Sequence, residues 1–96
     1  MRTIYKFKLK ATDRQDLALP KDSIILSVIE QRDEIVIYAL VESEERETEV
    51  HEVFIVGTGH PARHIWEDDD LEFLGTVKIM MLVFHIFVKY KAQGGR

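Results

Sequence analysis

The alternation of apolar and charged side chains near the start of the chain constrains the fold most. Within residues 3–10, Tyr5, Phe7 and Leu9 alternate with three lysines. A period of two puts successive side chains on opposite faces of an extended strand, so this segment predicts a half-buried β-strand. Apolar segments rich in Val, Ile and Phe predict further strands at residues 16–19, 23–30, 35–41, 48–56, 71–79 and 82–90.

These strands predict one small domain. A chain of 96 residues with 46% hydrophobic side chains supports a single core. We therefore predict one mainly β domain over residues 1–91, an antiparallel sandwich or partly open barrel of six to seven strands, and a flexible tail over residues 92–96. The predicted core consists of Tyr5, Leu26, Val28, Ile37, Ala39, Phe54, Val56, Phe84 and Ile86.

Composition restricts the classes of partner. The net charge of −4 argues against general nucleic-acid binding, which depends on clustered Lys and Arg. The absence of cysteine excludes disulfides and thiolate metal sites and favours the cytoplasm. The longest apolar run, residues 79–88, is too short for a membrane-spanning helix, so no membrane partner is predicted. Strands apolar on both faces, at residues 35–41 and 82–88, predict a homo-oligomer.

The segment that follows the fifth predicted strand carries the candidate ligand site. It joins flexible backbone to donor side chains and one large aromatic ring, a combination suited to a phosphate and a base. The predicted ligand-binding residues are Gly57, Thr58, Gly59, His60, Arg63, His64 and Trp66. The alternative is an ordinary tight turn in which the glycines only supply positive φ. The acidic run at residues 68–70 argues against a phosphate ligand.

Catalysis and metal binding have weaker support. Cysteine is absent and no serine lies on a glycine-flanked elbow, so nucleophilic catalysis is not predicted and no catalytic residue is assigned. His60 and His64 would converge on a metal only from a helix, which Pro61 could begin, and we predict neither a metal nor a cofactor. His85 lies within a strand pattern and is predicted as a hydrogen-bonded core or interface histidine rather than a catalytic one.

Several segments together resemble a family of small proteins encoded by tailed phages and prophages. The resemblance covers nearly the whole chain, and its most specific parts are residues 57–61 (GTGHP) and 83–87 (VFHIF). Further matching segments are residues 3–6, 19–20, 25–28 and 73–76. The chain departs from the family pattern by a longer loop at residues 63–70 and a charged tail after Tyr90. The resemblance implies the cytoplasm of an infected bacterium but no particular activity.

Three functions fit that setting, because small accessory phage proteins often antagonise host defence. The first is non-catalytic sequestration of a nucleotide immune signal, including a cyclic one, by the loop at residues 57–66. The second is an anti-CRISPR-like inhibitor that binds a host or defence protein through an acidic or apolar surface. The third, least favoured by these residues, is an enzyme that degrades such a signal with His60 or His64 as acid or base.

Overall fold

The computed structural model describes residues 1–93 and contains seven strands and one short helix. In chain order these are β1 (Arg2–Leu9), β2 (Arg14–Pro20), β3 (Ile24–Gln31), β4 (Glu34–Glu42), β5 (Thr48–Gly57), α1 (Arg63–Trp66), β6 (Glu72–Ile79) and β7 (Leu82–Gln93). No described helix has the length and apolar character needed to cross a membrane.

The strands form two antiparallel sheets. Sheet A has three strands in the order β1-β4-β3, and sheet B has four in the order β2-β5-β7-β6. In β1 apolar side chains alternate with charged ones, which gives the strand one apolar face. Each sheet has such an apolar face, and the two sheets stack because stacking removes both faces from water. The predicted mainly β antiparallel fold is confirmed, and the two separate sheets identify it as a sandwich rather than a barrel.

The core lies between the two inner faces. Ile37 on β4 and Ile86 on β7 are completely buried, and Val28 and Phe84 pack against the same cluster. The strands approach closely enough that a Cβ on Gly75 of β6 would lie 2.7 Å from Cγ1 of Val28 on β3. A second cluster surrounds Leu19, Ala39 and Val41.

Two residues of the predicted core are exposed in the structure, so their assignment was wrong. Two others are buried on the outer face of sheet B and not in the core. Tyr5 and Leu26 are each 46% exposed, because Tyr5 lies on edge strand β1 and Leu26 is the extra residue of a bulge in β3. Phe54 and Val56 are buried, but register places Phe54 beside Arg14 and Val56 beside His85 on the outer face of sheet B. The segment after β5 covers that face in part.

The chain ends differ from the predicted boundaries. Ala92 and Gln93, predicted as tail, extend β7 because they pair with Val50 and Glu49 of β5. The rest of the predicted tail, residues 94–96, lies outside the described residues. The closing hairpin turns at Met80 and Met81 as predicted, with Met80 at a φ of 57°, although no glycine or asparagine is present there.

Candidate functional site

The segment between β5 and β6 crosses the outer face of sheet B. The ring of His64 packs against Phe54 with centroids 5.7 Å apart. Further along, the Lys89 ammonium donates to the Asp68 carboxylate over 2.7 Å. The hydrogen bond to Lys89 holds the pKa of Asp68 below its usual value, aided by the backbone N–H of Asp70. This ring contact and this ion pair therefore help to attach the segment to sheet B.

A three-residue hydrogen-bonded cluster lies where this segment begins. Nε2 of His85 is 2.7 Å from the Thr58 hydroxyl, and Nδ1 of the same ring is 3.0 Å from the Thr76 hydroxyl. His85 is hydrogen-bonded as predicted, but it is half-buried on the outer face of sheet B and does not belong to the core. Both ring nitrogens are occupied by hydroxyl groups, so the imidazole orientation is fixed by two different parts of the chain.

The register of sheet B explains why these side chains meet. His85 on β7 is paired with Thr76 on β6. On the other side of β7, the N–H of Thr58 donates to the carbonyl of Val83 over 3.0 Å, which continues the β5–β7 pairing beyond Gly57. Alternation along the strands then puts all three side chains on the outer face.

Lys78 adds a positive charge beside this cluster. It is two residues after Thr76 on β6, so the two side chains share a face, and it pairs with Val83. Its side chain is exposed and forms no ion pair within the described part of the chain. We name Thr58, Thr76, Lys78 and His85 the hydroxyl–imidazole cluster.

Three of the predicted ligand residues line a separate pocket. Together with Asp13, Gly57, His60 and His64 border a cavity of about 310 Å³. This volume is near the lower end of the roughly 300–1,000 Å³ that is typical of small-ligand sites. The His60 ring lies against Gly57 of β5. It is so close that a Cβ at Gly57 would be 2.9 Å from Nδ1 of His60. Gly59 has a φ of 87°, which requires glycine at this turn. Asp13 makes this pocket less suited to an anion than the neighbouring cluster.

The remaining predicted residues do not join one cradle. The Arg63 guanidinium pairs with Glu67 over 3.2 Å, and Trp66 is 88% exposed. The N–H of His60 donates to the carbonyl of Gly57, and that of Thr58 is held by Val83, so neither is free for an anion. A metal site formed by His60 and His64 would require one helix that contains both residues. The helix α1 has only four residues and begins after His60. No group of three or more metal-ligating side chains occurs among the described residues.

The hydroxyl–imidazole cluster is suited to binding an anion. A neutral imidazole donates from one nitrogen and accepts at the other, so one threonine accepts from the ring and keeps its own O–H free to donate. With the nearby ammonium of Lys78, the surface offers hydroxyl and charged donors within one patch. The described hydrogen bonds of the His85 ring are those to the two threonine hydroxyls.

Of this cluster, only Thr58 was predicted as a ligand-binding residue, and His85 was predicted only as a hydrogen-bonded histidine. Thr76, Lys78 and His85 are far from the loop along the chain and become its neighbours through the pairing of β6, β7 and the end of β5. One signal was available, because Thr76, Lys78 and His85 are polar residues at alternate positions in strands with apolar inner faces. Which side chains lie beside these residues depends on the register of the paired strands, and the sequence pattern does not predict that register.

Comparison with known proteins gives one match. The model of a family described as a domain of unknown function (DUF7352) matches residues 1–95. Searches of curated proteins and of solved structures each returned no match.

Proposed function

The chain belongs to the family described as a domain of unknown function, DUF7352. For this chain we propose, from its own geometry, that it binds a phosphorylated ligand without turnover. The observation that carries the proposal is the bridging of Thr58 and Thr76 by His85, beside the ammonium of Lys78, for which residues 1–93 provide no ion pair. Hydroxyl, imidazole and ammonium donors are groups that hold phosphate oxygens in proteins.

The neighbouring loop supports a nucleotide as the ligand class. The Arg63 guanidinium forms an exposed i,i+4 ion pair, which contributes little to stability and exchanges readily for a phosphate. Trp66 presents an exposed ring of the kind on which bases stack. A nucleotide whose phosphate occupies the hydroxyl–imidazole cluster would use the loop at residues 57–66 as its second contact.

The second part of the proposal concerns the biological setting. On the resemblance to phage-encoded proteins, we propose that the chain acts in the cytoplasm of an infected bacterium and sequesters a nucleotide immune signal, including cyclic forms. Binding without turnover fits this role, since a sequestering protein needs affinity and abundance rather than catalysis.

We expect a phosphorylated nucleotide at 100 times its dissociation constant to stabilise the native state by about 2.7 kcal/mol. For a domain of this size, that stabilisation raises the melting temperature by about 10–20 °C. The measurement is a melting scan with inorganic phosphate, mononucleotides and cyclic dinucleotides. Thr58→Val and Lys78→Met, which each remove one donor, are expected to weaken binding about tenfold or more.

Lys10→Met is the matched control for Lys78→Met, because Lys10 is also exposed and forms no ion pair among the described residues. This control is expected to bind like the wild type. Equal affinity of the Lys78→Met and Lys10→Met variants, or no melting shift with any of the phosphorylated compounds, would contradict the proposed site.

A second proposal concerns the outer face of sheet A. Register aligns Ile4, Leu40 and Ile24 across its three strands, and Ile4 and Ile24 are 55% and 51% exposed. Leu26 and Ile29 on β3 are also exposed, with Ser27 between them. Contiguous apolar area of this kind marks a protein interface. We propose that a second copy of the chain covers it, which leaves the hydroxyl–imidazole cluster on sheet B open in both copies.

Light scattering tests this second proposal. The wild type is expected to have the mass of a dimer at high micromolar concentration, and Ile24→Lys is expected to be monomeric, because a buried unpaired ammonium opposes association. Lys21→Ile, a change outside the apolar row, serves as the control for altered charge. A strictly monomeric wild type would remove the dimer and leave this face to the alternative partner, a host or defence protein bound by an inhibitor.

A further inference from the structure

Two polar residues interrupt the inner face of β5. Glu49 and His51 are 8% and 9% exposed, whereas Val53 and Ile55 continue the same face into the core. The Glu49 carboxylate accepts from Nε2 of His51 over 3.0 Å and from the backbone N–H of Asp22. A buried carboxylate and imidazole are expensive to desolvate, and apolar residues here would pack without that penalty.

His51 of this pair borders an open cleft. His51, Ile25, Leu74, Val88 and Tyr90 line a cavity of about 500 Å³ between β3 and the β6–β7 half of sheet B. The Tyr90 ring meets the His51 ring edge-on, with centroids 5.8 Å apart, and is itself 57% exposed. The lining also includes polar and charged residues, namely Ser23, Asp70, Glu72 and Lys89. Apolar walls that carry a few polar groups are typical of sites for small groups.

The second nitrogen of His51 faces this cleft. In the described residues no fully buried side-chain nitrogen or oxygen lacks a hydrogen-bond partner, and none of the contacts found there engages Nδ1 of His51. Nδ1 is therefore open to the cleft. With Nε2–H donated to the Glu49 carboxylate, the neutral ring has its lone pair at Nδ1, which accepts a hydrogen bond from a ligand N–H or O–H.

The edge of β7 beside the cleft has no strand partner. Strand β6 begins at Glu72, opposite Val88, whereas β7 continues through Gln93. Residues 89–93 pair with β5 on one side, and on the other side no strand of the described chain pairs with them. An unpaired strand edge is a template for an added strand, whose alternate side chains point into the adjacent cleft.

We propose that this cleft binds the phenol or indole group of an extended peptide that adds to the free edge of β7. The ring contacts Ile25, Leu74 and Tyr90, its O–H or N–H donates to Nδ1 of His51, and the peptide backbone pairs with residues 89–93. This proposal is independent of the hydroxyl–imidazole cluster, which lies toward the other end of β7 on the opposite face of sheet B.

The test uses NMR titration of the wild-type chain with p-cresol and with 4-methylanisole, which differs by a methyl group in place of the donor hydrogen. We expect p-cresol to shift the ring signals of His51 and Tyr90 and to bind about fivefold more tightly than 4-methylanisole, as one hydrogen bond provides. Equal affinities, or shifts confined to other residues, would overturn the site.

A second comparison tests the peptide. Acetyl-Val-Tyr-Val-amide is expected to bind at least fivefold more tightly than the same peptide with N-methylated backbone amides, because N-methylation removes the donors that pair with β7. Equal binding by both peptides would overturn the strand addition. In the double variant Glu49→Leu/His51→Leu, p-cresol should lose its advantage over 4-methylanisole, and a retained advantage would exclude His51 as the acceptor. The wild-type comparisons decide the proposal whether or not this variant folds.

Discussion

Replacing Leu19 with alanine is expected to lower the free energy of unfolding by about 2–5 kcal/mol. Leu19 is completely buried and packs with Ala39 and Val41, near the end of β2, which stops at Pro20. The variant loses the transfer free energy of the side chain and leaves a cavity that strands on both sheets can fill only partly. Because small domains are stabilised by only about 5–15 kcal/mol, the loss is a large fraction of the total.

Urea unfolding followed by circular dichroism measures this loss. Leu82→Ala is the matched control, since it removes the same side chain at a position 62% exposed in the β6–β7 hairpin. The control is expected to change stability by less than about 0.5 kcal/mol. If the two variants have equal stability, the cluster around Leu19 is not packed as the structure describes.

Replacing Glu49 with alanine is expected to destabilise the domain by about 3 kcal/mol, because the change breaks a buried pair and leaves its partners without an acceptor. The groups left unsatisfied are Nε2–H of His51 and the backbone N–H of Asp22. Asp22 has a φ of 66°, so the turn that it forms depends on this contact as well as on backbone preference. The measurement is again the free energy of unfolding in urea.

The double variant Glu49→Leu/His51→Leu separates pairing from packing. Replacing both partners by apolar side chains removes the buried polar groups together, so its stability is expected to return to within about 1 kcal/mol of the wild type. Recovery by the double variant would show that the native pair is retained for something other than stability. A Glu49→Ala variant as stable as the wild type would contradict the buried pair itself.

All seven strands were predictable from sequence because each one carries a local signal. In β1, lysines alternate with Tyr5, Phe7 and Leu9, and in β4 both faces are apolar because the strand is central to sheet A. Two side chains were wrongly predicted as buried, and each has a local cause. The bulge at Leu26 reverses the side-chain pattern of β3, and the exposure of Tyr5 follows from the edge position of β1.

The candidate site was predictable only in part. The loop at residues 57–66 was identified from its glycines and donors, and Thr58 belongs to the cluster that the geometry favours. Its partners His85 and Thr76 were not identified, because their proximity depends on how β7 pairs with β6 and with the residue after β5. The pairing of Glu49 with His51 had a signal, two polar residues two apart on one strand face, but its burial depended on sheet stacking.

The sequence by itself determined the class of fold, a count of six to seven strands and the position of the long irregular connection, because side-chain periodicity and glycine and proline act over a few neighbouring residues. Only the tertiary structure decided which side chains meet. Strand order brought Thr58, Thr76 and His85 together, and the late start of β6 opened the cleft at His51. These outcomes depend on non-local pairing, and the free energy of that pairing is shared over the whole sandwich.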